Sequence, residues 1–372
     1  MTFRPGRLAG TLSVIAATSV LITSPCSTAA APNIPTTTRK VVLERIETGY
    51  RWKLIEAAVP TVGEHQVLVH VRAVALNRGD LEIFEDGPGS DYAGRVAGSD
   101  AAGDVVAVGS AVKGVRVGTR VTSTYFRNWI DGPPNREIMR AAHGASVDGV
   151  IGDYIVLEDT AIVPMAKGLS YEQAATLPTA GLTGYMATVG RRDLRPGDVV
   201  VVQGTGGVSV FAAQFAAAAG ARVIITSSSD EKLRKAQSFG AKDGINYLSV
   251  PAWSARVMEL TSGRGADVIV DVGGKSTLEQ SVKSLAYGGM LSLVSSLTGY
   301  DSQVPAGAFI GRSARAQGIY VGSRTDFERM NEFIERHKIR PVLERTFALD
   351  RYADAIALMS AGDFVGKIVL TL

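Results

Sequence analysis

The stretch of sequence that decides the fold is Val199-Val-Val-Val-Gln-Gly-Thr-Gly-Gly-Val-Ser209, which runs into the alanine-rich segment Val210-Phe-Ala-Ala-Gln-Phe-Ala-Ala-Ala-Ala-Gly220. A continuous β-branched run, clustered glycines and a helical segment predict a buried parallel strand, a tight turn and a helix. Such a turn offers unpaired N–H groups and a favourable helix dipole to a dinucleotide pyrophosphate. The residues expected to hold it are Gly204, Thr205, Gly206, Gly207 and Val208. Because Ser209 stands where Gly or Ala is usual, a glycine turn without a ligand is the alternative.

The segments after this turn repeat the alternation of strand and helix. A second strand is expected at residues 221–226 and a helix at 230–239, and the alternation continues to a strand at 289–294. Such alternation favours βαβ units, in which helices cover a parallel sheet. The central part of the chain is therefore predicted to be α/β, with a doubly wound parallel sheet.

The end of the second strand indicates which dinucleotide is preferred. An NAD site usually has Asp or Glu there to bind the ribose 2′-hydroxyl, whereas this chain has Thr226-Ser-Ser-Ser229. Hydroxyls can donate to a 2′-phosphate and a nearby cation can neutralise it. We expect NADP, with the 2′-phosphate held by Ser227, Ser228 and Lys232, and with Arg234 as another possible cation. The alternative is that the serines cap the helix that starts at Asp230.

Composition limits the function classes. The chain has 372 residues, which predicts about two domains. It is 46% hydrophobic and 20% charged, with a net charge of +3, and no basic run is interleaved with aromatic residues. A nucleic-acid partner is therefore not expected, and the substrate is expected to be a small molecule. Cys26 is the only cysteine, so thiolate–zinc sites and cysteine nucleophiles in the body of the chain are excluded by residue type.

The first 31 residues differ from the rest. Arg4 and Arg7 precede an apolar stretch at residues 8–22 and an alanine-rich end at Ala31, which is typical of a cleaved secretory signal. The apolar stretch is short for a membrane span, so no stable membrane insertion is expected after cleavage. An organelle transit peptide and a start codon placed too early are the alternatives. The location is secreted or periplasmic if the leader is a signal, and otherwise cytoplasmic.

The body of the chain changes character along its length. Residues 39–165 contain alternating, half-buried strands, and the segments 66–75 and 103–109 have the alternation typical of antiparallel strands. Residues 166–300 contain the nucleotide-binding unit, and residues 301–372 complete its edge and return to mixed strands and helices. A chain that leaves one domain and comes back to it places a cleft between the two, where ligands collect.

Several motifs resemble the medium-chain dehydrogenase/reductase superfamily, across residues 39–372. Besides the glycine turn they are Val74-Ala-Leu-Asn-Arg-Gly-Asp80, Ala97-Gly-Ser-Asp-Ala-Ala-Gly103, Ala174-Ala-Thr-Leu-Pro-Thr-Ala-Gly-Leu-Thr-Gly-Tyr185, Asp267-Val-Ile-Val-Asp-Val-Gly273 and Ala353-Asp-Ala-Ile-Ala-Leu-Met359. The resemblance is greatest to quinone oxidoreductase-like and zinc-less alcohol dehydrogenase-like members. It implies a Rossmann domain and a mostly β GroES-like catalytic domain built from the N-terminal part and the C-terminal tail.

The departures from the zinc-dependent members redirect the expected chemistry. The positions of their zinc ligands, two cysteines and a histidine, read Asn77, Ser99 and Thr179 here, and these side chains cannot form that shell. We therefore expect no catalytic zinc, and we expect the four histidines to be surface or strand residues. Without a Lewis acid, hydride transfer is easier to a conjugated acceptor, in which the developing charge spreads. The resemblance implies reduction of a quinone or an α,β-unsaturated carbonyl compound by NADPH.

The resemblance also implies roles for individual residues. Thr183 matches the position that packs against the nicotinamide, and Asn77 the position of a hydrogen bond near substrate or nicotinamide. Ser296 lies close to where the backbone binds the carboxamide, and Asp271 is either a cofactor contact or a turn acceptor. Asn77 could instead cap the helix that follows it.

Other assignments stay open at this stage. Tyr125 and Tyr92 are candidate proton donors, although solvent could serve, and Trp129 belongs either to the pocket wall or to the core. The resemblance implies a homodimer through an edge strand around residues 318–322. The competing functions are an alcohol dehydrogenase-like or enoyl-thioester reductase activity, and a nucleotide-binding protein with little catalysis.

Overall fold

The computed structural model describes residues 1–2, 6, 33–47, 49–82, 91–299, 301–304 and 306–372. The chain divides into two units, Met1–Ile34 and Pro35–Leu372, and every helix and strand of the described residues lies in the second. The apolar stretch of the predicted leader and its end at Ala31 fall outside the described residues. Within the described part of the chain, no helix has both the length and the apolar character needed to span a bilayer.

A six-stranded parallel sheet occupies the middle of the described chain, as the alternating pattern predicts. Its strands stand in the order β10-β9-β8-β11-β12-β13. Their bounds are β8 Val199–Gln203, β9 Arg222–Ser227, β10 Ala241–Asn246, β11 Ala266–Asp271, β12 Leu285–Leu293 and β13 Arg315–Gly318. Because β9 and β11 flank β8 on opposite sides, the chain changes direction across the sheet at the carboxyl end of β8. In a doubly wound sheet that switch point is where ligands bind.

Helices connect these strands. They are α4 Gly207–Ala218, α5 Asp230–Gln237, α6 Trp253–Leu260, α7 Leu278–Lys283 and α8 Ala306–Ile310. All five residues of β8 are buried, which fits a central strand covered on both faces. Helix α4 begins at Gly207, so the glycine turn itself forms the helix start rather than preceding it.

The second sheet is mostly antiparallel and mixes both ends of the chain. Its strands stand in the order β14-β15-β3-β4-β5-β7, with β6 also paired to β3. Their bounds are β3 Gln66–Ala75, β4 Asp100–Val108, β5 Arg120–Ser123, β6 Tyr154–Glu158, β7 Ile162–Pro164, β14 Leu343–Ala348 and β15 Lys367–Thr371. The two segments expected to form antiparallel strands are β3 and β4, and the structure pairs them with each other. A separate hairpin is formed by β1 Thr37–Ile46 and β2 Gly49–Ala58.

Short helices place side chains between the two sheets. Helix α1 Arg78–Glu82 follows β3, and α2 Tyr171–Ala175 leads through a π-helical turn at Leu177–Gly181 into α3 Leu182–Ala187. Ser170 and Gln173 form a capping box at the start of α2. The remaining helices, α9 Arg324–His337 and α10 Tyr352–Ala361, precede β14 and β15 respectively.

One hydrophobic core joins the two sheets. It contains residues of β3 and β15 together with residues of β8 and β9, and Phe211 and Phe215 of α4 lie in it. These two rings are 1% and 0% exposed and stack with centroids 5.9 Å apart. Helix α3 packs so closely on α4 that a Cβ at Gly184 would lie 2.8 Å from Phe211 Cβ and 2.9 Å from the Ala212 nitrogen.

Gly184→Ala tests this close packing. We expect the added methyl group to lower the free energy of unfolding by about 1–3 kcal/mol, because it overpacks a contact with backbone atoms. The matched control is Gly307→Ala in α8, where no described atom lies within 4 Å of the added Cβ. That helical substitution should raise stability by roughly 0.5–1 kcal/mol. Urea unfolding measures both, and equal effects of the two substitutions would contradict the prediction.

Candidate functional site

The glycine turn after β8 forms one wall of a cleft. Gly204 has φ +74°, a backbone conformation that favours glycine, and no described atom lies within 4 Å of a Cβ placed on Gly206. Backbone can therefore approach a ligand closely at Gly206, as a pyrophosphate requires. A cavity of about 330 Å³ is lined here by Gly204, Thr205, Gly206, Gly207 and Val208, the residues predicted from the sequence.

The same cavity reaches the end of β9. Ser227, Ser228 and Lys232 line it, together with the ring of Tyr247. The Lys232 ammonium donates to the Gly362 carbonyl at 2.9 Å and lies 3.2 Å from the Asp363 carboxylate, so it bridges α5 and the segment after α10. The serines of this run therefore have different surroundings. Ser229 caps α5 by accepting from the Lys232 N–H at 3.3 Å, while Ser227 and Ser228 face the cleft.

A second cavity of about 590 Å³ continues the first. The two have seven lining residues in common, which are Asn77, Arg78, Gly204, Gly206, Gly207, Val208 and Leu297. Thr183 of α3 lines the second cavity and is 5% exposed, as its predicted position beside the nicotinamide requires. The volume of this second cavity is within the usual range for small-molecule sites, roughly 300–1,000 Å³. The two cavities together form one groove with room for a dinucleotide and a substrate.

The side chains of Asn77, Ser99 and Thr179, the positions at which the resemblance implies zinc ligands in related enzymes, line this groove together. The Asn77 amide donates from Nδ2 to Ser99 Oγ at 3.2 Å, and Ser99 Oγ donates to the Asp100 carboxylate at 2.7 Å. Thr179 donates to the same carboxylate from Oγ1 at 2.5 Å and from its backbone nitrogen at 3.0 Å. The hydrogen bonds therefore run in one direction toward the fully buried Asp100.

The π-helical turn between α2 and α3 explains how Thr179 reaches this cluster. Extra residues inserted into a helix in this way are frequent at functional sites, because they redirect a side chain. The Gly181 N–H donates to the Thr176 carbonyl at 3.2 Å, which is the wider spacing of a π turn. Both the hydroxyl and the N–H of Thr179 then point at Asp100.

Lys367, the first residue of β15, lies on the other side of Asn77. It is 3% exposed, and its ammonium donates to Asn77 Oδ1 at 2.6 Å and to the Leu76 carbonyl. Burial lowers the pKa of Lys367, and the negative charges of Asp100 and Asp80 oppose this shift. The side chain of Asn77 therefore does not cap α1, contrary to that alternative.

The Asp80 side chain binds the backbone of Asn77. Its carboxylate accepts a hydrogen bond from the Asn77 N–H at 2.7 Å, and the residue lines the larger cavity. Burial raises the pKa of Asp80 to about 7, against the effect of that hydrogen bond, and Asp100 adds to the rise. The sequence analysis missed Asp80, Asp100 and Lys367 as site residues. The available signal was their position, since both aspartates lie in the quoted motifs and Lys367 begins an otherwise apolar strand.

Aromatic and histidine side chains also line the larger cavity. Tyr92, Tyr125, His143 and Tyr320 line it. Burial, with Tyr320 alongside, raises the pKa of Tyr125, so the phenol keeps its proton at physiological pH. His143 is 4% exposed, its Nδ1 faces the Asp148 carbonyl at 2.9 Å, and burial lowers its pKa. Its Nε2 is buried without a hydrogen-bond partner.

For Asp271 and Trp129 the structure favours one of the two alternatives that the sequence left open, whereas Ser296 differs from its expected place. Asp271 is fully buried and outside the lining of both cavities, because its carboxylate accepts from Gln203, Thr277, Ser281 and the backbone N–H groups of residues 273 and 274. It is thus the turn acceptor and not a cofactor contact. Ser296 also lies outside the lining, whereas its neighbours Ser295 and Leu297 line the groove. Trp129 is core, 3% exposed, and its indole donates to the Gly132 carbonyl at 2.9 Å.

The expected edge strand is also displaced. The strand at the edge of the parallel sheet is β13, which ends at Gly318, and Ile319, Tyr320 and Val321 line the larger cavity instead. Among the described residues, no group of three or more His, Cys, Asp or Glu side chains could hold a metal ion.

Asp80→Asn should change how stability depends on pH. The folded-state pKa of Asp80 is about 7 and its ordinary value is 3.8, so the folded state loses stability as pH rises between these values. The amide cannot ionise. We therefore expect the free energy of unfolding of Asp80→Asn, compared with that of the unsubstituted protein, to be higher at pH 8 than at pH 5. Urea unfolding at both pH values measures this. Asp193→Asn, at an exposed position, is the control, and an equal pH dependence in both variants would contradict the prediction.

Comparison with known proteins agrees with this architecture. Residues 63–167 match the alcohol dehydrogenase GroES-like domain, and residues 207–336 match the zinc-binding dehydrogenase domain. A zinc-type alcohol dehydrogenase-like protein of Schizosaccharomyces pombe is 38% identical over 351 residues, which cover 90% of this chain and 99% of the relative. A quinone oxidoreductase of Pseudomonas aeruginosa is 31% identical over 327 residues, covering 83% of this chain and 91% of the relative.

A solved structure shows the same fold. A putative alcohol dehydrogenase from Sinorhizobium meliloti 1021 superposes with a TM-score of 0.86 at 38% identity, covering 91% of this chain and all of that one. The GroES-like match, the doubly wound sheet and the identity over most of both chains agree with the resemblance inferred from the motifs. This chain therefore belongs to the medium-chain dehydrogenase/reductase family and is an oxidoreductase of that family.

Proposed function

We propose that this protein is a zinc-independent, NADPH-dependent oxidoreductase that transfers hydride to a quinone or an α,β-unsaturated carbonyl compound. The observation that carries the proposal is the hydrogen-bonded row of Asn77, Ser99 and Thr179 between Lys367 and Asp100. It supplies an amide donor to the groove at the place where zinc enzymes of the family have a Lewis acid.

Zinc independence is supported by what these three side chains already do. Zinc in catalytic sites is bound by thiolate, imidazole or carboxylate groups, and an amide and two hydroxyls are none of these. The Asn77 oxygen accepts from Lys367, and both hydroxyl hydrogens are directed at Asp100. A metal ion at this place would have to break all of these bonds.

Asn77 is the proposed donor to the substrate. One of its two Nδ2 hydrogens is used by Ser99, which leaves the second for a substrate carbonyl oxygen in the larger cavity. A fixed donor stabilises the negative charge that develops on that oxygen, and conjugation spreads the rest of the charge over the acceptor. When bound, the nicotinamide supplies the hydride. Solvent and Tyr125, which lines the same cavity, are the candidate proton sources, and the raised pKa of Tyr125 makes its phenol a weaker acid than that of an ordinary tyrosine.

The cofactor assignment depends on the smaller cavity. Ser227 and Ser228 can donate hydroxyl hydrogens to a 2′-phosphate, and Lys232 already lies beside them. The pairing of Lys232 with Asp363 does not prevent this, because the Asp363 side chain is 86% exposed and a solvated ion pair contributes little. These contacts favour NADP over NAD.

A homodimer is proposed through the edge of the parallel sheet. All four residues of β13 are exposed, and exposed apolar side chains flank it at Tyr287 and Ile310. An unpaired strand edge of this kind can pair with the same strand of a second copy.

The acceptor and the cofactor can be tested together. The chain lacking residues 1–31 should oxidise NADPH faster than NADH with a quinone or an enone, and a metal chelator should leave the rate unchanged. A simple aldehyde should be a poor acceptor because its developing alkoxide has no Lewis acid. The absorbance of the reduced nicotinamide gives the rate of oxidation with each cofactor and each acceptor. Aldehyde reduction that the chelator abolishes would overturn the proposal.

Two substitutions separate the proposed roles. Asn77→Ala should lower kcat for the conjugated acceptor by about 10²–10³-fold, the usual effect of losing one oxyanion donor. Lys232→Met should instead raise the KM for NADPH while the KM for NADH stays nearly constant, because only NADPH has the 2′-phosphate. Steady-state kinetics with both cofactors measure these effects. The same loss for both cofactors in Lys232→Met would argue against the 2′-phosphate assignment.

A further inference from the structure

We propose that Lys367 is a positioning residue, whose ammonium fixes the direction of the Asn77 amide and links that direction to the nucleotide-binding turn. The inference rests on the proposed function, in which Asn77 donates to the substrate. It assigns a role to a buried charge that the oxidoreductase chemistry does not itself require.

The contacts of Lys367 are directed at neutral oxygens. Its ammonium donates to Asn77 Oδ1 at 2.6 Å and to the Leu76 carbonyl, and both acceptors are neutral. A lysine that is 3% exposed would usually be expected to form a direct ion pair. Here the two nearby aspartates balance its charge from farther away, so the ammonium is free to orient an amide.

An asparagine side chain has two orientations related by a flip of its amide. In the observed one, Oδ1 accepts from Lys367 and Nδ2 donates to Ser99. The flipped one would place the NH₂ group against an ammonium, which has donors only. It would also place an oxygen against Ser99 Oγ, whose hydrogen is directed at Asp100. Because a charge-assisted hydrogen bond is about twice as strong as a neutral one, Lys367 is the stronger of the two constraints.

The stem of Lys367 lies against the glycine turn. A Cβ on Gly207 would be 2.6 Å from Lys367 Cδ, so this glycine leaves the space that the lysine occupies. The preceding Gly366 N–H donates to the Thr205 carbonyl at 3.0 Å. Lys367 therefore spans from the turn proposed to hold the pyrophosphate to the amide proposed to hold the substrate, and it lines the smaller cavity between them.

The kinetic test replaces the charge while keeping the stem. Lys367→Met should lower kcat for the conjugated acceptor by about 10²-fold, close to the effect of Asn77→Ala. The double variant should show no further loss, because both substitutions remove the same donor geometry. Lys283→Met, a surface lysine paired with Glu279, is the control and should leave kcat unchanged. Circular dichroism and urea unfolding show whether each variant is folded. Additive losses in the double variant would overturn the proposal.

Chemical rescue separates charge from packing. Lys367→Ala leaves a space beside the cleft, and propylammonium should restore part of kcat because it brings N–H donors back to Asn77 Oδ1. Tetramethylammonium has the same charge without a donor and should restore nothing. Equal rescue by both cations would show that only charge or filled volume matters, and would contradict the positioning role.

A third measurement does not depend on turnover. In protein labelled with ¹⁵N at asparagine side chains, the Asn77 signals are those missing from Asn77→Ala. Lys367→Met should shift and broaden this pair, since the amide gains a second orientation, while Lys283→Met should not. Unchanged Asn77 signals in Lys367→Met would refute the inference. If the unsubstituted protein reduces no conjugated acceptor, the proposed function fails, and these signals still decide the role of Lys367.

Discussion

The contact between the last strand and the glycine turn is the constraint on which the rest of the site depends. The Gly366 N–H donates to the Thr205 carbonyl, and Gly206 forms an isolated parallel bridge with Gly366. Through this contact the mixed sheet is joined to the parallel sheet at the carboxyl end of β8. The next residue, Lys367, then enters the space that Gly207 leaves and reaches Asn77. The glycine turn lines both cavities, and Gly366 and Lys367 line the smaller one.

The polar cluster around Asp100 is held together by hydrogen bonds between its neighbouring members. Asp100 is fully buried and accepts hydrogen bonds from Ser99 and Thr179. These hydrogen bonds, rather than a direct ion pair, offset the cost of removing its carboxylate from water. Removing one member would leave a buried polar group unsatisfied, which typically costs about 1–3 kcal/mol. The donor row is therefore rigid because every member depends on its neighbour. Rigidity of this kind is what a preorganised oxyanion donor requires.

Local sequence patterns predicted the parts of the fold that local physics determines. The β-branched run at β8, the glycine turn and the serines after β9 each occupy the predicted place, because strand burial and turn conformation depend on neighbouring residues. Asn77 and Thr183 were identified only through the family resemblance. Lys367 could not be found locally, since a lysine is ordinarily exposed and its partner is 290 residues away in the sequence. Ser296 lies outside the cavity lining whereas Ser295 and Leu297 belong to it, because a loop has no periodicity to fix which side chain faces the groove.

The same separation in sequence has a consequence for how the protein is made. Synthesis proceeds from the N-terminus, so β3 and α1 emerge long before β15. Until β15 is synthesised, Ala73, Val74 and Ala75 of β3 lack the strand with which they later pair. A nascent chain therefore carries an open strand edge of apolar residues while the whole parallel sheet is being produced, and during this interval the edge can pair with another chain. The amide of Asn77 receives its orienting partner only when that edge is closed.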